Sequence, residues 1–167
     1  GKNADGTNIQ ICSENGATAQ TFMLKSNGNN QYGIVTKTSE GAKGLDASNG
    51  GTYEGTNVKQ YSYYGGINQL WVFEPIRSDN NGTIANGWYY IKNVNAQKYL
   101  QVQGNKAQSG QNVELGSGNG SSGQRWYLSN KGSGQITLKS ELGYMLDVTG
   151  GKNADGTNIQ ICSENGA

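Results

Sequence analysis

Asp46 and Glu54 are carboxylates that could imitate the acid–base pair of glycoside hydrolysis. No flanking pattern singles them out, and solvated loop acids are the simpler reading. The chain contains no histidine, so neither a Ser-His-Asp nor a Cys-His arrangement is available to activate a nucleophile. With two cysteines and no histidine, a structural zinc cluster is excluded by count. The glycine-rich stretch GSGNGSSG (116–123) lacks the Lys-Ser/Thr of a phosphate-cradling loop and predicts a hairpin tip. No cofactor motif occurs. Net charge is +1, with acids and bases interspersed. No basic stripe suits a phosphate backbone, and no apolar run is long enough to span a bilayer, so neither nucleic acid nor membrane is an expected partner. The chemistry that remains is recognition rather than reaction.

The elements that must position such recognition groups announce themselves as a repeat. Three tripeptides, Gln20-Thr21-Phe22, Gln69-Leu70-Trp71 and Gln124-Arg125-Trp126, end at positions 49 and 55 apart. Residues 1–17 recur letter for letter as 151–167, an offset of 150 that closes the cycle after a further 46 positions. The sequence therefore spells three similar units with one segment written twice. Cys12 and Cys162 are two copies of one position, so no disulfide framework is expected and a small packing residue is the expected role.

Composition predicts an all-β chain. There are 27 Gly, one Pro and ten Tyr, with Asn-Gly turn dipeptides beginning at Asn15, Asn27, Asn49, Asn86 and Asn119. TNVKQY (56–61), QNVELG (111–116) and TNIQIC (157–162) alternate apolar and polar residues, which predicts half-buried strands.

The units superpose in detail. The first runs through GYMLDV (143–148), then 151–162 or its copy 1–12, to AQTF (19–22). The second runs from GLDA (44–47) to NQLW (68–71), and the third from YLQV (99–102) to GQRW (123–126). The residue after each Leu (Asp147, Asp46, Gln101) is followed nine positions on by Gly156, Gly55 and Gly110, and twelve on by Ile159, Val58 and Val113. About four short strands per unit predict a six-stranded barrel capped by three hairpins, without open edges. The Trp and Phe of the tripeptides are expected in the core, and the Gln beside each is expected to satisfy backbone groups near a turn. The expected domain is a single one over 1–167: a first unit of 143–150 with 151–167 or 1–17 plus 18–30, a second of 31–76 and a third of 88–134.

The combination of L-D-x, G-T-x-V/I-Q/K and Q-x-W/F, three times in phase, resembles the ricin B-type β-trefoil lectins. It is similar in particular to bacterial family 13 carbohydrate-binding modules appended to plant-polysaccharide hydrolases. The resemblance covers essentially the whole chain. It implies a β-trefoil that binds glycan, is secreted and performs no catalysis. It also implies where sugar binds: the Asp after Leu, a polar residue at plus 13, an aromatic platform at plus 15 and an Asn before the Gln of Q-x-W. Sugar hydroxyls pair with carboxylate and amide groups, and the C–H face of a sugar stacks on an aromatic ring. The second unit has the full set in Asp46, Lys59, Tyr61, Asn68 and Gln69, with Tyr63 and Tyr64 able to extend the platform. Lys59 stands where Gln is common, which favours a different hydroxyl or a uronate. The first unit keeps Asp147 and Gln160 (or Gln10) but has Cys162 and Ala19 at the other positions, a weak second site at most. The third has Gln101, Gly116 and Gly123 and is expected to be scaffold.

The longest connection, Trp71 to Leu100, contains IRSDNNGTIANG (76–87), where natural ends or a junction between tandem modules are expected. The chain is then a circularly permuted frame, or a fragment of two tandem modules, excised from a larger protein. The duplicated ends, 1–17 and 151–167, also suit strand exchange with a second copy.

Overall fold

The structure is a computed structural model that describes residues 16–76 and 84–164. Residues 1–15, including Gln10 and Cys12, lie outside the described part, as do 77–83 of the expected junction.

Among the described residues twelve short strands follow a single turn of helix, α1 (Gly16–Ala19). They are β1 (Phe22–Ser26), β2 (Tyr32–Thr36), β3 (Lys43–Ala47), β4 (Val58–Ser62), β5 (Leu70–Pro75) and β6 (Gly87–Asn93). The second half holds β7 (Tyr99–Val102), β8 (Val113–Gly116), β9 (Trp126–Gly132), β10 (Gln135–Ser140), β11 (Met145–Val148) and β12 (Ile159–Cys162). Antiparallel pairing runs β1-β2-β5-β6-β9-β10 and returns from β10 to β1, where Phe22 faces Ile136. Six strands thus close a barrel without a free edge. Three hairpins, β3–β4, β7–β8 and β11–β12, hang from β2, β6 and β10 and cap one end. This is the β-trefoil that the threefold repeat predicts.

The core follows the repeat. Phe22, Trp71 and Trp126 are fully buried, as are Leu45, Leu100 and Leu146. The β-branched residues at plus twelve, Val58, Val113 and Ile159, are buried with them. Full burial of one such aliphatic side chain contributes about 1.5–3 kcal/mol. The glycines at plus nine share one conformation, with φ of +86° at Gly55, +85° at Gly110 and +84° at Gly156. A side chain would be strained there. Each of these glycines also donates its N–H to the next hairpin: Gly55 to Leu115 O, Gly110 to Ile161 O and Gly156 to Gln60 O, at 2.7–2.8 Å. The cap is a closed ring of three such bonds.

That ring corrects one expectation. The alternating windows predict half-buried strands, yet all four residues of β8 and of β12 are buried. Each hairpin leans on its neighbour about the pseudo-threefold axis, so the polar residues Glu114 and Gln160 are covered as well.

The slot beside β11 is filled by the C-terminal copy of the duplicated segment, with Leu146 paired to Ile161 and Val148 to Ile159. Cys162 is disulfide-bonded, which corrects the reading of a lone packing thiol.

Candidate functional site

The hairpin β3–β4 brings Asp46 opposite Lys59 across the two strands. Tyr61 follows on the same face of β4. Asn68 and Gln69 lie on a tight 3-10 turn, Ile67–Gln69, leading into β5. Together Asp46, Lys59, Tyr61, Tyr64 and Asn68 line an open cavity of about 340 Å³, with Asn49 and Gly50 completing its wall.

Two donors converge on one oxygen of Asp46. Asn68 Nδ2 and Gln69 Nε2 each reach Oδ2 at 2.9 Å. Among the described residues no donor reaches Oδ1. Burial pushes the Asp46 carboxyl above the usual carboxylate range, while Gln69, the Lys59 charge and Asn68 pull it back down. Lys59 Nζ sits 5.1 Å from the Tyr61 ring centroid, a cation–π contact that holds the ammonium over the platform.

Gln69 is fully buried and does not line the cavity. Its Nε2 also donates to Ser62 O, and its Oε1 accepts the Tyr64 N–H. It therefore closes the loop between β4 and β5 and aims Asp46. Gln124 repeats this with Ser117 O, Asn119 N and Gln101 Oε1, and Gln20 with Ser163 O and Asp147 Oδ2. The expected turn-satisfying role of the three Gln residues is what the geometry shows.

The tyrosines divide. Tyr61 and Tyr64 are exposed at 40% and 64%. Tyr64 lies across Gly66, where a Cβ would collide with its ring, and its hydroxyl donates to Asn68 Oδ1 at 2.9 Å. Tyr63 turns the other way: it covers Gly33 and Gly44, beneath Lys25 Nζ at 5.2 Å from its centroid. It belongs to the barrel and not to the cavity, so the expectation that it extends the platform is corrected. Asn49 and Gly50 were legible in the sequence only as a turn dipeptide. Asn49 takes a left-handed φ of 55°, which brings this turn to the cavity wall.

The other two units are filled differently. Asp147 is fully buried; Gln160 Nε2 donates to its Oδ1 at 3.1 Å and Gln20 Nε2 to its Oδ2 at 3.2 Å. Burial raises its pKa to about 6. Where Tyr61 stands in the second unit, the first has the disulfide-bonded Cys162. In the third, Gln101 occupies the space above Gly116, where a Cβ would collide with its side-chain amide. Gln101 is in turn held by Glu114 and Gln124. Among the described residues no cluster of three or more His, Cys, Asp or Glu could hold a metal ion.

Three units of one design, an Asp-centred pocket and a closed barrel are what a family comparison must account for. Residues 1–61 and 67–162 match the ricin-type beta-trefoil lectin domain-like family. The chain belongs to that family. A lectin domain binds carbohydrate without transforming it, and this chain is a non-catalytic carbohydrate-binding domain. A search of curated protein sequences finds no significant match. Among solved structures, the designed threefold-symmetric protein ThreeFoil is 31% identical, with a TM-score of 0.71 over 89% of this chain and 92% of that one. The exo-beta-1,3-galactanase 1,3Gal43A from Clostridium thermocellum is 24% identical at a TM-score of 0.69, and the match spans only 28% of its length. The Rhizoctonia solani agglutinin is 21% identical, with a TM-score of 0.63 over 89% of both chains. The last two show a shared fold.

Proposed function

We propose that the chain is a single-pocket carbohydrate-binding module for plant-type polysaccharide, of the kind carried by secreted bacterial hydrolases. Asp46, Lys59, Tyr61, Tyr64 and Asn68 contact the sugar, and Gln69 holds them from behind. The observation that carries this reading is the one-sided use of Asp46. Among the described residues both hydrogen bonds to this carboxylate fall on Oδ2, which leaves Oδ1 to accept a sugar hydroxyl at a cavity floored by exposed tyrosine rings. The Asn68 amide and the Lys59 ammonium supply the neighbouring polar partners. Galactose-, arabinose- and xylose-containing glycans are the leading ligands, and Lys59 extends the choice to uronates. A shallow pocket of this kind binds with a Kd of roughly 10 µM to 1 mM. Titration of monosaccharides and an array of short glycans, with the intact protein and with Asp46→Ala, test the reading: loss of the specific short-glycan signal in the variant is expected, and unchanged binding overturns it.

A second reading is a scaffold for strand exchange. It is favoured by the slot beside β11, which holds residues 151–162, while 1–12 spell the same sequence. Two molecules could fill each other's slots. Concentration-dependent dimerisation in light scattering tests it.

A further inference from the structure

The pseudo-threefold symmetry of the barrel is broken at one place by residues that the fold does not require. Backbone bonds identify the equivalent positions. Trp88 O accepts from Ile76 N as Gln31 O accepts from Asn27 N. Tyr89 pairs with Trp126 as Tyr32 pairs with Trp71 and Ile136 with Phe22, so Trp88, Gln31 and Gln135 are equivalent. Glu141 N donates to Arg125 O as Val94 N donates to Leu70 O and Lys37 N to Thr21 O. The set Trp88, Arg125, Glu141 is therefore matched by Gln31, Leu70, Val94 in one unit and by Gln135, Thr21, Lys37 in the other. Only one of the three corners joins a large aromatic to an ion pair.

That corner is open. Ile76, Trp88, Arg125 and Glu141 line a cavity of about 400 Å³, distinct from the Asp46 pocket. Trp88 is 40% exposed and is braced edge-on by Tyr127, with ring centroids 5.2 Å apart. Arg125 Nη1 donates to both carboxylate oxygens of Glu141, at 3.3 and 3.0 Å, and its Nε donates to the Tyr90 hydroxyl at 3.4 Å. Among the described residues the second guanidinium nitrogen makes no hydrogen bond. The corner thus sets an indole face, guanidinium N–H donors and a carboxylate acceptor side by side.

We infer that the Trp88–Arg125–Glu141 corner is a second carbohydrate subsite, one that engages sugar residues of a polymer and lies outside the three repeat-encoded pocket positions. The indole face takes the C–H face of a pyranose or furanose ring, and the ion pair takes a pair of adjacent hydroxyls. The inference rests on the lectin reading for the class of ligand and on the corner's own geometry for the place. Two weak subsites on one module gain by engaging the same chain.

Trp88 reports on the corner directly, because the other two tryptophans, Trp71 and Trp126, are fully buried. The probes are soluble arabinoxylan, galactan and arabinogalactan, with xylose, arabinose and galactose as monosaccharides. The test variant is Trp88→Gln, which installs the residue found at both equivalent positions, and its folding is checked by thermal melting. Trp88→Gln is expected to leave monosaccharide affinity unchanged and to weaken retention in a polysaccharide affinity gel by about threefold or more. In the Asp46→Ala protein, the polymer is expected still to shield Trp88 from acrylamide quenching. Equal gel retention of Trp88→Gln and the parent, with no shielding, overturns the subsite and leaves the Asp46 pocket standing. A parent protein that neither titrates with any monosaccharide nor is retained by any polymer overturns the glycan reading and this inference together.

Discussion

The indole N–H of Trp71 donates to the carbonyl oxygen of Leu45 at 3.3 Å, tying the end of the second unit to its own beginning. Trp126 does the same to Leu100 at 3.0 Å in the third unit. Phe22, the equivalent in the first unit, has no N–H to offer. Trp71→Phe should therefore fold to the same barrel but lose about 1–3 kcal/mol, from one unmade buried hydrogen bond and a smaller ring. Urea unfolding followed by circular dichroism measures this. An unchanged midpoint would show that the bond contributes nothing.

The Asp46 pocket should depend on pH in a defined direction. In the proposed binding mode its carboxylate accepts a sugar hydroxyl, and burial raises its pKa above the ordinary value of 3.8. Affinity should thus be full near neutrality and fall on acidification, beginning at a higher pH than for an exposed Asp. Lys59→Gln removes a charge that lowers the Asp46 pKa and should move the midpoint of the fall upward. Calorimetric titration from pH 7 to pH 4 reads both. A midpoint that moves down in Lys59→Gln would rule out this electrostatic account.

Asp147 should set a pH dependence of stability with the opposite sense to that of a salt-bridged acid. Its folded pKa is about 6, against 3.8 for the unbiased group. Between these values the folded state holds a proton that the unfolded state releases, so stability falls as pH rises through this window. The full effect is about 3 kcal/mol, from about 1.4 kcal/mol per unit of pKa difference. Asp147→Asn should flatten the profile and gain stability relative to the parent between pH 4 and pH 7. Denaturant midpoints at the two pH values decide it, and parallel profiles for the two proteins would count against it.

Removal of residues 151–167 should leave a protein that still folds and binds glycan, because residues 1–17 spell the same hairpin for the slot beside β11. The two fillings bury the same side-chain types and should differ by about 1–2 kcal/mol from tether and end effects. A truncated protein that fails to fold would show that the C-terminal copy is not replaceable.

Much of this was legible in the sequence because three diverged copies constrain one another. Positions kept in all three, such as Leu45, Val58 and Gly55, carry geometry. Positions complete in only one, such as Tyr61 and Asn68, mark the pocket. What stayed hidden depends on contacts between units. Tyr63 and Tyr64 are adjacent and chemically alike, and only the glycines at 33 and 44, beneath one ring, and at 66, beneath the other, assign their directions. The burial of Gln160 is set by its packing beside Asn112 in the neighbouring hairpin. The Trp88 corner is visible only after β6 and β9 are placed in register.

Barrel closure by β1 and β10 makes the fold a late event in the life of the chain. The strand that begins at Phe22 finds its partner only at Ile136, and Gln20 finds its own at Asp147. A ribosome adding 5–20 residues per second needs about 10 s to supply the difference. Throughout that interval β1 has β2 on one side and an unpaired row of amides on the other. The nascent molecule is thus a growing open sheet until β10 arrives, and its yield should depend on how well that early edge is kept from other chains.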